Sequence, residues 1–177
     1  MLRIVAFDLS LTSTGVCKSQ APAEPFALET APLRGMQRLY WIQSRVLAHA
    51  EDADLVVLEG YSYGSGYQAH QLGELGGVVR LGLWCRGIPY VDLPPAIRCK
   101  MATGKGNASK EHVLSEAVQR LGYTGHSDDE SDAMWLLEAA RQHYGLSDVK
   151  LPKAHFGRTK SSKDFRWPEF DELEGAA

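Results

Sequence analysis

Leu2 to Leu9 and Gly15 to Ser19 are rich in apolar and β-branched residues and flank the polar turn Thr12-Ser13-Thr14-Gly15, a pattern that predicts the start of a β-hairpin. Strand alternation puts Ile4, Ala6, Asp8 and Ser10 on one face. From Met36 to Ala50 the apolar Leu39, Ile42, Val46 and Leu47 recur at helical spacing while Arg38 and Arg45 share another face, so an amphipathic helix is expected there. Ala53 to Gly60 is a continuous apolar run closed by Glu59 and glycine, which is how a strand covered on both faces reads. Beyond a loop rich in Gly and Tyr, Leu72, Leu75 and Val79 mark a second helix. Its Gly73, Gly76 and Gly77 form a bare surface that invites close approach.

Ile88 to Leu93 reads as a short strand broken by Pro94-Pro95, and a loop rich in Gly and Lys is expected from there to Asn107. A helix from about Ser109 to Leu121 follows. The last helix starts near Ser127, where Ser127 and Glu130 have the spacing of a capping box and Ala133, Leu136, Leu137 and Ala140 supply a stripe to dock on a sheet. Hairpin, helix, strand, helix, strand, helix, helix is the order of an α/β layered domain.

A chain of 177 residues with 44% hydrophobic and 23% charged residues suits one globular domain, placed at 1–146, followed by a charged, flexible tail at 147–177. In that tail Lys150, Lys153, Arg158, Lys160, Lys163 and Arg166 precede Glu169, Asp171, Glu172 and Glu174, leaving open a solvated tail or an arm that touches DNA. The overall charge of -3 hides this local basic run. The opening residues reach Asp8 too soon for a signal-peptide core, and no apolar run reaches the ~20 residues of a membrane span. A cytoplasmic protein is expected. Cys17, Cys85 and Cys99 are odd in number and widely spaced, which disfavours both disulfides and a zinc site.

Acids stand where acids are costly: Asp8 at the end of an apolar strand, Glu59 at the end of a buried one, and Asp132 on the stripe of the last helix, with Asp129 three residues earlier. If the strands are neighbours and the helix crosses their ends, these carboxylates converge, and their repulsion calls for protons or cations. Oxygen ligands alone select hard cations, Mg²⁺ with Mn²⁺ able to substitute. Two such ions ~4 Å apart can activate a water and stabilise the leaving oxygen of a phosphoryl displacement. Asp128, Asp129 and Glu130 also have a plainer explanation, because helix N-termini favour acids.

The chain resembles the RuvC Holliday-junction resolvases of the RNase H-like superfamily through most of residues 2 to 142. Ile4 to Gly15 is similar to that family's first strand with its metal-binding aspartate, although Ser10 stands where the family often has glycine. Glu59 resembles the second ligand, and Leu72-Gly73-Glu74-Leu75-Gly76-Gly77 the helix after it. Thr103-Gly104-Lys105-Gly106-Asn107-Ala108-Ser109-Lys110 matches the family's Thr-Gly-x-Gly-x-Ala-x-Lys segment, and Asp129 to Met134 resembles its paired aspartates.

The resemblance implies an RNase H-like mixed β-sheet with helices on both faces, two-metal hydrolysis of phosphodiesters, and a homodimer acting on branched DNA. Asp8, Glu59, Asp129 and Asp132 would hold the ions, and Lys110 or Lys105 would steady the charge of the pentavalent phosphate. The family's basic residue falls by count at Cys99, so Arg98 and Lys100 compete with each other as the phosphate contact. Tyr61, Tyr63 and Tyr67 compete to stack at the branch point. Flaps and forks stand beside four-way junctions as substrates. A nuclease acting on RNA or RNA–DNA hybrids and a non-catalytic junction-binding protein are the alternatives. An ATP binder is a further one, since Asp8 with Thr12 to Gly15 also resembles the phosphate loop of actin-like ATPases.

Overall fold

The computed structural model of the chain describes residues 2–20, 24–30, 32–60, 69–156 and 166–174. Strand β1 (Ile4–Asp8) turns into β2 (Ser13–Lys18) and then β3 (Phe26–Glu29), helix α1 (Gly35–His49) leads to β4 (Leu55–Glu59), and α2 (Ala69–Cys85) leads to β5 (Tyr90–Leu93). Helices α3 (Pro95–Thr103), α4 (Lys110–Leu121) and α5 (Asp128–His143) follow, then a 3₁₀ turn at Lys153–Phe156 and a short α6 (Phe170–Glu174).

The sheet order is β3-β2-β1-β4-β5, with β1, β2 and β3 antiparallel and β1, β4 and β5 parallel. Because side chains alternate across a strand, Ile4, Ala6, Leu55 and Val57 face α3, α4 and α5, while Val5, Phe7, Val56 and Leu58 face α1 and α2. Both faces of β1 and β4 are therefore buried, which is why both strands read as apolar runs ending in an acid. No helix among the described residues is long and apolar enough to cross a membrane.

The structure departs from the sequence expectations in places. Ser13, Thr14 and Gly15 belong to β2 rather than to the turn before it. Pro94-Pro95 ends β5 as expected, but Pro95 also opens α3, since a proline at the first helical position gives up only an N–H that would be unpaired anyway. Within α2 Gly76 is buried and an added Cβ on Gly82 would meet Leu47 and Gln43 of α1, whereas Gly73 and Gly77 have nothing within 4 Å.

The expected flexible tail is anchored where it is described. Trp167 and Leu173 join the core on the α5 side, Trp167 stacks on His143 with ring centroids 5.0 Å apart, and Tyr144 donates its hydroxyl to the Pro168 carbonyl at 2.8 Å. His155 is buried, with Nδ1 2.8 Å from the Met101 carbonyl near the end of α3. The apolar residues scattered through the charged run supply this docking. Arg158, Lys160 and Lys163 lie outside the described residues.

Candidate active site

Parallel pairing of Phe7 with Leu58 brings the C-terminal ends of β1 and β4 side by side, so Asp8 and Glu59 finish neighbouring strands. On the other flank Asp8 is opposite Gly15 of β2. A Cβ on Gly15 would run into the main-chain carbonyl of Asp129, so the glycine lets the first turn of α5 close over the strands. That approach carries Asp132, one turn further along, into the same buried place, with Leu136 beneath it in the core.

The first turn of α5 is fixed in a way the sequence only half foretold. Ser127 accepts the Glu130 N–H at 3.3 Å, as a capping residue should. Glu130 does not reach back to Ser127; instead Tyr123 joins the two, its hydroxyl accepting the Ser127 N–H at 3.0 Å and donating to Glu130 at 2.6 Å. Burial and that carboxylate push the Tyr123 hydroxyl up to about 12.

Arg98 of α3 lies among the acids. Its Nε donates to Glu59 Oε1 at 2.5 Å and its Nη1 to Asp132, and its side chain is only 11% exposed. Burial raises the Asp8 carboxyl well above the usual carboxylate range, and the charges of Glu59 and Asp132 raise it further against the opposing pull of Arg98. Burial likewise pushes Asp132 up to about 7, with Arg98 and Lys110 opposing and Glu59 adding to the rise. Burial alone would lower the Arg98 guanidinium, but Glu59, Asp132 and Asp8 together raise it. Among the described residues Arg98 is thus bonded to two of the three acids, with Lys110 acting on Asp132 from further off.

Lys110 opens α4 within 3.8 Å of Asp128 and acts electrostatically on Asp132, so it stands at the edge of the acids. Lys105 is exposed on the preceding loop, which is tied back at both ends. Thr103 Oγ1 receives the Lys105 N–H at 3.2 Å, and the Cys99 sulfur receives the Ala108 N–H, also at 3.2 Å. Cys99 thus orders this loop. Lys100, two positions after Arg98, falls on the opposite side of α3. Asp129 is half-buried and meets Gly15 through its main-chain carbonyl. Tyr61, Tyr63 and Tyr67 lie outside the described residues.

The donor set is oxygen only, buried and deficient in positive charge, and this chemistry fits a hard divalent cation. Among the described residues no three of His, Cys, Asp or Glu are spaced to hold an ion together as they stand. A phosphate loop for a nucleotide does not fit: Thr14 is buried, with its hydroxyl donated to the Ser10 carbonyl at 3.0 Å, and Gly15 is covered by α5. The roles of Arg98 and Gly15 escaped sequence reasoning. An arginine near a Pro-Pro pair gives no sign of burial until α3 is recognised as a helix.

No family model matches the chain, and no curated protein matches it. Among solved structures, Thermus thermophilus RuvC superposes with a TM-score of 0.62 at 20% identity over 84% of this chain and 100% of that one. T. thermophilus RuvC in complex with a Holliday junction substrate superposes with a TM-score of 0.64 at 21% identity over 85% and 100%. The chain has the RNase H-like fold of RuvC, in agreement with the mixed sheet and its two helical layers.

Proposed function

We propose that this chain is a divalent-metal-dependent endonuclease that cuts branched DNA, with the four-way junction as its principal substrate. The observation that carries the reading is the convergence of Asp8, Glu59 and Asp132 at the ends of β1, β4 and the first turns of α5, in a fold shared with a protein solved on a Holliday junction. A protein that only binds DNA gains nothing from buried acids that repel phosphate.

Asp8, Glu59 and Asp132, with Asp129 one turn before, would hold Mg²⁺ or Mn²⁺. The metal supplies, when bound, the positive charge that polarises the phosphodiester and makes a water nucleophilic at neutral pH. The chain's own residues do the rest. The acids keep that charge at the strand ends, Lys110 at their edge meets the charge growing on the phosphate, and the tied loop presents Lys105 to the DNA backbone.

A four-way junction carries two cleavable strands related by a twofold axis, so we take the acting form to be a homodimer. Gly77, Leu81 and Trp84 support this by lying exposed at helical spacing on α2, with Leu81 58% and Trp84 72% accessible.

The test is cleavage of end-labelled four-way junction, flap, duplex and RNA–DNA hybrid in Mg²⁺, read on denaturing gels. Paired nicks near the junction centre are expected. Comparable cutting of flaps widens the reading to a general branch nuclease, preference for the hybrid moves it to RNA, and no cutting of any substrate in Mg²⁺ or Mn²⁺ leaves only a binding protein.

A further inference from the structure

A guanidinium is buried where its planar donors are matched, and Arg98 is matched by carboxylates on two different elements, Glu59 of β4 and Asp132 of α5. It fills the gap between them. The other gap, between Asp8 and Glu59, lies between neighbouring strand ends that the parallel pairing of Phe7 with Leu58 sets side by side. The acids of this centre are thus joined in two ways, one through a cationic side chain and one through the register of two neighbouring strands.

Charge balance separates the two gaps. When ionised, Asp8, Glu59 and Asp132 carry three negative charges and Arg98 returns one, so a single divalent ion brings the centre to neutrality. Two divalent ions would leave the free protein's centre positive even with Asp129 counted, and buried net charge is strongly disfavoured. We infer that Arg98 serves as the second cation of this centre, holding Glu59 and Asp132 where another metal would otherwise stand, so that the free protein takes one divalent ion, on Asp8 and Glu59. The inference rests on the reading of the site as a metal-dependent nuclease and specifies its metal count. Arg98 is on this account a positioning residue, since it acts through the carboxylates.

The test is a Mn²⁺ titration of the full chain without DNA, followed by calorimetry and by the electron paramagnetic resonance signal of free Mn²⁺. Wild type is expected to take one ion per chain, and Asp8→Asn none. Arg98→Ala should take a second ion, with a Tm that drops in EDTA and recovers in Mn²⁺, whereas Arg98→Lys should remain at one. A residue that merely supported the fold would change Tm and leave the count alone. Two ions in wild type, or one ion in a folded Arg98→Ala, would overturn the inference while leaving the nuclease reading intact. No ion in wild type would overturn it together with metal dependence, which the cleavage assay in EDTA checks separately. If Arg98→Ala does not fold, the counts for wild type and Arg98→Lys still decide.

Discussion

Gly15 has no room for a side chain because the main-chain carbonyl of Asp129 lies where its Cβ would be. The neighbour is backbone in the first turn of a helix, which cannot swing aside as a flexible side chain would. Gly15→Ala should therefore push the start of α5 outward, costing ~1–3 kcal/mol as overpacking does. Denaturant unfolding reads that loss. Cleavage should fall further than stability explains, because the same turn places Asp132.

Asp8→Asn should abolish cleavage in Mg²⁺ while junction binding, measured by gel shift in EDTA, stays equal or tightens. The change removes a metal-holding oxygen and a negative charge from a place where phosphate must come. Cutting at the wild-type rate would show that Asp8 is not in the active centre.

Metal-free protein should lose stability as pH rises from about 4 to about 7. Burial, opposed by Arg98, lifts Asp132 from the ordinary 3.8 to about 7, and Asp8 shifts in the same direction, so the folded state keeps protons that the unfolded chain has released. Stability must fall across that window through Asp132, and Asp8 adds to the fall. Thermal unfolding in EDTA at successive pH values tests this, and Asp132→Asn should flatten the slope.

Trp167 is 1% exposed and stacks on His143, so Trp167→Ala should cost ~3–5 kcal/mol by urea unfolding. An indifferent mutant would return the segment around it to the status of a solvated tail.

Trp84→Glu should shift the chain from dimer to monomer in sedimentation at low micromolar concentration, with Tm held within a few degrees, because Trp84 is exposed and outside both cores. A wild type that is already monomeric would remove the dimer from the proposal.

Much of the molecule was legible from residue order. The run ending at Glu59 was a strand covered on both faces, the run ending at Asp8 was the first strand of the hairpin, and Asp132 did share a buried face with Leu136. What escaped lay in relations across the chain. Pro94-Pro95 reads locally as a break, and only the docking of α3 turns it into a helix start. Arg98 reads in sequence as a candidate phosphate contact, and only the fold sets Glu59 and Asp132 on either side of it. Trp167 was obscured by its charged surroundings, since average polarity says little about where a single indole will be buried.

The β1–β4 register has a bearing on divergence. Phe7 opposite Leu58 sets the separation of Asp8 and Glu59 through hydrogen-bonded ladders rather than through any loop, and a one-residue slip would turn one strand's side chains to the wrong face. The connections between strands can be lengthened, shortened or rewritten while the distance between the acids stays the same. The fold is kept in the same way, since about four-fifths of the aligned residues differ from T. thermophilus RuvC at 20% identity while the two chains superpose.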